Sequence, residues 1–512
     1  MRKVLFLFLT FIFASIAVSK AQSYKVDLQI EALKNYESIK EGQIIQIDSV
    51  KKKFVYNELQ GWISTGYQLV TNDGRYIDIT KSIGDKLKFK CNTIQDIWDT
   101  KIITNVLYEL NKKGMQNDLR CEMEEDALEF IDKVRSLNLN FNDPYLENYI
   151  YSLIAKIAPE SLIDGRPGNI NLLIIINPSL NASMYPNGTL VINSGLLANL
   201  HTEDELVAIL SHEIAHYVCD HSIQNINKEV ARQKRAAFWA ALATGITAAA
   251  EGYAAYNNNY YIPGGATIGM AVLSSSIASQ ATKRLGMKYN FEQEFEADQL
   301  SVDILQALGY NKNALSTALN RLKNNQEVER STSMYFSSYT HPALMERIYK
   351  AGSPENISDH KFEKYISFAV TSTAQMKFQD RRFKQALSLV EQNINNNVGT
   401  AADYVLKANC YLALYNTQES NQEVLNALNK AKTLNPDDIN IYKSEVLALL
   451  RAGRQTDALE NLKEYQLKLD NMRQQLDAIK SSNTWDYIND FINLEKKWSR
   501  DMITKLNGML TN

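Results

Sequence analysis

Ser211-His212-Glu213-Ile214-Ala215-His216 sets two histidines four residues apart, one above the other on a single helical face, where both can grip one metal ion. Glu213 stands between them. Upstream, Thr202 and Glu205 have the Ser/Thr-x-x-Glu spacing of a capping box, and Leu206, Val207, Ile209 and Leu210 follow at once. The spacing predicts a helix fully formed by His212. Neutral imidazoles bind Zn²⁺ and leave a position open for water, whose pKa falls to about 7. Glu213 is placed to take that proton. The same pattern also arises on solvated helix faces that bind nothing, so a third ligand decides between the readings.

A glycine three residues after His216 and a histidine three further on would supply a third imidazole. Cys219 and Ser222 stand there instead, which excludes that class. Downstream lies Asn290-Phe291-Glu292-Gln293-Glu294-Phe295-Glu296-Ala297-Asp298. Glu294 and Asp298 share a helical face. Glu294 would complete a His₂Glu set for one zinc ion per chain, and Asp298 would orient a ligating imidazole from behind. Glu292 and Glu296 are expected to be solvated. Cys219, one turn past His216, is a weaker candidate ligand than Glu294.

The chain has 512 residues, 45% hydrophobic and 22% charged, enough for about three domains at roughly 150 residues each. A net charge of -3 gives no basic footprint for nucleic acid. Arg2 and Lys3, an apolar run from Val4 to about Val18, and Ser19-Lys20-Ala21 read as an export signal over 1–21. The alternative is an uncleaved membrane anchor, for which the run is short. An exported protein follows, periplasmic in a Gram-negative source. In an oxidising compartment Cys91 and Cys121 are the plausible pair among four cysteines, with two free thiols the equal alternative.

Residues 22–92 read as a small β-rich accessory domain. Gly42 to Phe89 holds short β patterns around the turn Asn72-Asp73-Gly74-Arg75, suiting a small barrel or curled sheet. Residues 93–124 form a helical connector, the helical pattern running on to about Pro159. A metallopeptidase domain over 125–355 follows. In it, Asn169 to Ile176 predicts a buried strand, and Asn181 to Asn193 a hairpin around Pro186-Asn187-Gly188. An extended substrate could add to the edge at Ala182 to Tyr185. Ala236 to Ala281 holds two apolar arms, each shorter than the ~20 residues of a membrane span. They read as close-packed helices, or as a contact with a membrane or partner. His341, in Thr340-His341-Pro342, could reach the metal site to stabilise an oxyanion or to block the open metal position. From 365 to 512 the pattern is paired short helices. Phe383 with Ala386, Ala431 with Pro436, and Gly453 with Ala458 match tetratricopeptide repeats, with Val424 in register and a short insertion near Asn416 to Asn421. A plain helical bundle is the alternative.

Together, Asn193-Ser194-Gly195-Leu196-Leu197, Glu205-Leu206 leading into His212-Glu213-Ile214-Ala215-His216, Glu294-Phe295-Glu296-Ala297-Asp298, and Thr340-His341-Pro342 with Arg347 resemble the HtpX and CAAX prenyl protease family of zinc metallopeptidases, in its exported branch with C-terminal tetratricopeptide repeats. The resemblance covers roughly Glu125 to Ala351 plus the repeats. It implies an α+β, mainly helical fold: a gluzincin-type zinc protease core, a small N-terminal β domain and a C-terminal α-solenoid. By that likeness His212, His216 and Glu294 ligate zinc, Glu213 is the general base, and His341 lies near the metal. The implied function is a zinc endopeptidase of the cell envelope, acting on misfolded or stalled exported polypeptides and assisting outer-membrane protein assembly, with protein partners held by the repeats. Rival readings are a chaperone or assembly factor with latent proteolysis, and an integral membrane protease. The arms at Ala236 to Ala281 are weaker than the membrane helices of family members, which argues against a prenylated substrate.

Overall fold

A computed structural model describes residues 23–58, 61–110, 116–136, 140–224, 289–332, 344–477 and 485–510. The export signal over 1–21, the arms over 236–281 and His341 lie outside the described residues.

The chain begins with five antiparallel strands: β1 (Ser23–Ala32), β2 (Ile44–Asn57), β3 (Gly61–Thr71), β4 (Tyr76–Asp78) and β5 (Leu87–Lys90), in the order β4-β3-β2-β1-β5. The sheet starts earlier than the expected Gly42, because Val26, Leu28, Ile30 and Ala32 alternate along β1 and all point into the core. Register breaks at Lys25/Leu28, Ile47/Ser49 and Lys53/Phe54 curl the sheet into a half-barrel. Gly74, at φ +84, makes the turn between β3 and β4 and returns its N–H to the carbonyl of Thr71 at 2.9 Å.

The half-barrel does not stand apart. Helix α1 (Ile94–Lys101) runs through a π-helical turn, Ile102–Val106, into α2 (Leu107–Leu110). Its Trp98 is fully buried and donates its indole N–H to the carbonyl of Ile157 at 2.8 Å. One continuous apolar cluster therefore runs from the sheet into the domain that follows. Cys91 and Cys121 are not paired; all four cysteines are free. Cys91 leaves β5 and contacts Thr100 of α1, whereas Cys121 lies on α3 (Gln116–Ser136), which is tied by Arg120 to Asp220.

After α4 (Pro144–Ile157) come three strands, β6 (Asn171–Ile175), β7 (Ala182–Met184) and β8 (Thr189–Asn193), in the order β6-β8-β7. The expected hairpin joins β7 to β8, with Gly188 at φ +80. β6 pairs with β8 in parallel, so β8 is central and wholly buried, and β7 is an edge among the described residues. From β8 the chain passes through α5 (Ser194–Leu197) to α6 (Glu203–Val218) and α7 (His221–Gln224). Helices α8 (Phe291–Ala307), α9 (Ala314–Thr332) and α10 (Leu344–Ala351) pack around α6 and one another.

The remainder is helical: α11 (His360–Gln379), α12 (Phe383–Asn395), α13 (Ala401–Leu414), α14 (Gln418–Leu434), α15 (Asn440–Arg451), α16 (Gln455–Asp477) and α17 (Trp485–Leu510). From α12 on, each packs on its predecessor, and α13 also touches α11 and α15. Ala386, Val424 and Ala458 are buried on the second helix of successive pairs, where small side chains let helices approach closely. Helix α11 belongs to two cores: Phe362, Ile366, Ala369 and Val370 pack with the preceding domain, and Ala374 packs with α12 and α13. No described helix is long and apolar enough to cross a membrane.

Candidate metal centre

Helix α6 is fixed at both ends. The Thr202 hydroxyl accepts the Glu205 N–H at 3.1 Å, the expected cap. The Glu205 carboxylate does not close the box on Thr202. It reaches one residue further back, to the His201 N–H at 3.0 Å, and pairs with Arg321 at 3.0 Å. At the other end buried Arg166 donates to the carbonyls of Tyr217 and Val218, a cation on the negative end of the helix. Between the caps every side chain from Glu205 to Val218 is buried. Helix α8 is started by a reciprocal Asn290/Gln293 capping box and is pinned to α6 where the Ser301 hydroxyl donates to the carbonyl of Ala208 at 2.7 Å.

These two helices bring His212, His216 and Glu294 together, with ligand atoms all within 4.8 Å of one another. The two Nε2 atoms lie 3.1 Å apart, and each lies 3.7 Å from a Glu294 carboxylate oxygen. All three residues are at most 2% exposed. Glu213, between the histidines, is buried as well.

Polar groups back these residues. His212 Nδ1 lies 2.9 Å from Asp298 Oδ1. Arg347, from α10, holds Asp298 through two bonds of 2.7 Å and reaches Glu294 Oε2 with Nη1 at 2.5 Å. Burial works against the charge on Asp298, yet Arg347 and His212 hold its carboxyl well below the usual carboxylate range. Behind His216, Nδ1 meets His221 Nδ1 at 2.8 Å, and His221 Nε2 meets Glu296 Oε2 at 3.1 Å. Tyr289 stacks flat on the His216 ring, with centroids 3.5 Å apart.

Residues 144–355 match the family model described as peptidase family M48. This chain carries an M48 peptidase domain. Among similar proteins, the beta-barrel assembly-enhancing protease of Escherichia coli is 26% identical over 181 residues, 35% of this chain and 33% of that protein. Metalloprotease LoiP of Escherichia coli is 26% identical over 185 residues, 36% of this chain and 62% of that protein. The beta-barrel assembly-enhancing protease of Yersinia pestis is 25% identical over 217 residues, 42% of this chain and 40% of that protein. The match to the Escherichia coli assembly-enhancing protease thus spans about a third of its length.

The cofactor of an M48 domain is zinc, and the donor set fits it. Ligands at about 2.0–2.2 Å from a tetrahedral ion lie about 3.3 Å from one another, close to the separations of 3.1 and 3.7 Å found here. Both Nδ1 atoms face other partners, which leaves both Nε2 atoms to the ion.

Within the M48 domain the predicted His212, His216, Glu294 and Asp298 converge. Glu296 departs from expectation: it is not solvated but held by His221, by Lys101 Nζ at 2.7 Å and by the amide of Asn105. Cys219 is buried on that side, near His221 and Glu296 rather than in the His212/His216/Glu294 set. Sequence reasoning missed His221, Lys101 and Tyr289. A histidine five residues past the second histidine of the motif was a visible signal for His221.

Proposed function

We propose that this chain is a zinc-dependent endopeptidase of the cell envelope that cuts misfolded or stalled exported proteins and assists outer-membrane protein assembly. The observation that carries this reading is the convergence of two imidazoles and a carboxylate on one buried point, each backed by a further buried partner. When bound, zinc supplies a Lewis acid that polarises the scissile carbonyl and makes water more acidic. His212, His216 and Glu294 hold the ion. The Glu213 carboxylate takes the proton of the attacking water and returns it to the leaving amine. His341 is proposed to stabilise the developing oxyanion. Asp298 keeps the proton of His212 on Nδ1, so that Nε2 stays free for the metal.

The register of β7 supports an extended substrate. Asn181 and Tyr185 hydrogen-bond to β8, which turns the backbone groups of Ala182 and Met184 to the outer side of this edge. A peptide can add there as one more strand, beside α6. The helical pairs from α11 onward are proposed to be tetratricopeptide repeats that present polypeptides. A cavity of 280 Å³ opens among α11, α13 and α15, lined by Phe378, Val405, Ile439 and Leu447 with polar Asn409 and Lys443. That cavity also favours a second role as an assembly factor without cleavage. Glu213→Gln tests both. It is expected to bind zinc as the parent does while losing cleavage of an unfolded protein by about 10³-fold or more. Retained proteolysis overturns the assignment of Glu213. Restoration of envelope assembly by the inactive variant supports the second role.

A further inference from the structure

We propose that His221 and Glu296 form a hydrogen-bonded relay that fixes the tautomer and orientation of His216, an inference that rests on reading His212, His216 and Glu294 as the ligands. With His216 Nε2 given to the ion beside His212 and Glu294, the proton of its neutral ring sits on Nδ1. That proton points at His221 Nδ1, 2.8 Å away, which must accept it. His221 then carries its own proton on Nε2 and donates it to Glu296 Oε2 at 3.1 Å.

The far end of the relay is anchored. Lys101 Nζ lies 2.7 Å from Glu296, and Asn105, in the π-helical turn after α1, donates to the same oxygen. The bond from His221 and the Lys101 ammonium together compensate the part-buried Glu296 carboxylate. The geometry follows from a break in the chain. Asp220 takes φ +59 between α6 and α7, held by Arg120 at 2.6 Å, and the turn swings the buried His221 ring against His216. Both imidazoles thus gain a carboxylate steadied by a cation. His212 has Asp298 with Arg347, and His216 has Glu296 with Lys101, through one intervening ring.

Cys219, His221 and Glu296 also lie close enough to hold a second ion. The relay is favoured because a lysine ammonium already neutralises Glu296, and burial pushes the Cys219 thiol up, away from the thiolate a metal requires.

The test measures zinc affinity of the full chain by competition with a chromogenic chelator. His221→Leu is expected to bind zinc about 10–100-fold more weakly, and Glu296→Gln to weaken it in the same direction. His221→Asn keeps an oxygen where Nδ1 accepts and should recover most of the loss. A packing role would instead be served better by leucine than by asparagine. Should His221→Leu fail to fold, the more exposed Glu296→Gln carries the measurement. Affinity within about twofold of the parent in Glu296→Gln or a folded His221→Leu, no rescue by asparagine, or two zinc ions per chain overturns the relay. His216→Ala separates the two readings. If it loses zinc while His221→Leu keeps it, only the relay fails; if it binds zinc as the parent does, the ligand set itself is wrong.

Discussion

The guanidinium of Arg347 grips the carboxylate of Asp298 with two bonds of 2.7 Å, and both groups are buried. Its third nitrogen reaches Glu294, so one cation steadies two carboxylates from one face of α8. Lysine has a single point of donation and cannot reproduce that fork. Arg347→Lys is therefore expected to weaken zinc binding about 10–100-fold and to cost about 3 kcal/mol of folding stability. Chelator competition and urea denaturation read the two effects; parental values in both would refute the role.

Gly195 follows β8 at the start of α5, and its N–H bonds to the carbonyl of Asn177 at 2.8 Å. A Cβ at this position would overlap the carbonyl group of Pro178. Gly195→Ala must push two backbones apart and is expected to cost about 2–3 kcal/mol. A denaturation midpoint equal to that of the parent would show that the loop yields freely.

Thr202 caps the helix that carries both imidazoles. Thr202→Ala is expected to lower stability by about 1 kcal/mol, and Thr202→Ser to restore most of it. Equal melting temperatures for the alanine and serine variants would count against the cap.

Asp99 is buried on α1. Desolvation first, with Asp96 and Glu160 adding, raises its carboxyl to about 7 despite a 2.7 Å bond from Gln95. Between about pH 4 and 7 the folded protein keeps a proton there that the unfolded chain has released. Stability from this group therefore falls as pH rises through that window and levels off above it. Asp99→Asn stays neutral throughout. It is expected to gain on the order of 1–3 kcal/mol at about pH 8 and to flatten the slope. Melting curves across the window check this, and an unchanged slope would contradict it.

Much of the centre was legible because helical spacing assigns faces before any tertiary contact exists. Glu294 and Asp298 stand four apart, as do His212 and His216, so each pair had to share a side. Glu296 was misread for the same reason. It sits round the helix from Glu294, on a side that looks solvent-facing until Lys101, Asn105 and His221 arrive from other elements. His221 lies beyond the left-handed Asp220, where helical periodicity no longer predicts direction. In the sheet, the alternation along β1 was present in the sequence, but its partner strand begins only at Ile44. The mixed pairing of β6, β8 and β7 could not be read from local pattern, since a continuous apolar run fits a buried strand in either direction.

Helix α11 lends one end to the metallopeptidase core and the other to the helical array. There is consequently no seam at which the two could be parted without tearing a wall from one of them. They should melt in a single step, and a truncation placed just ahead of residue 360 should yield an insoluble fragment instead of a smaller working enzyme.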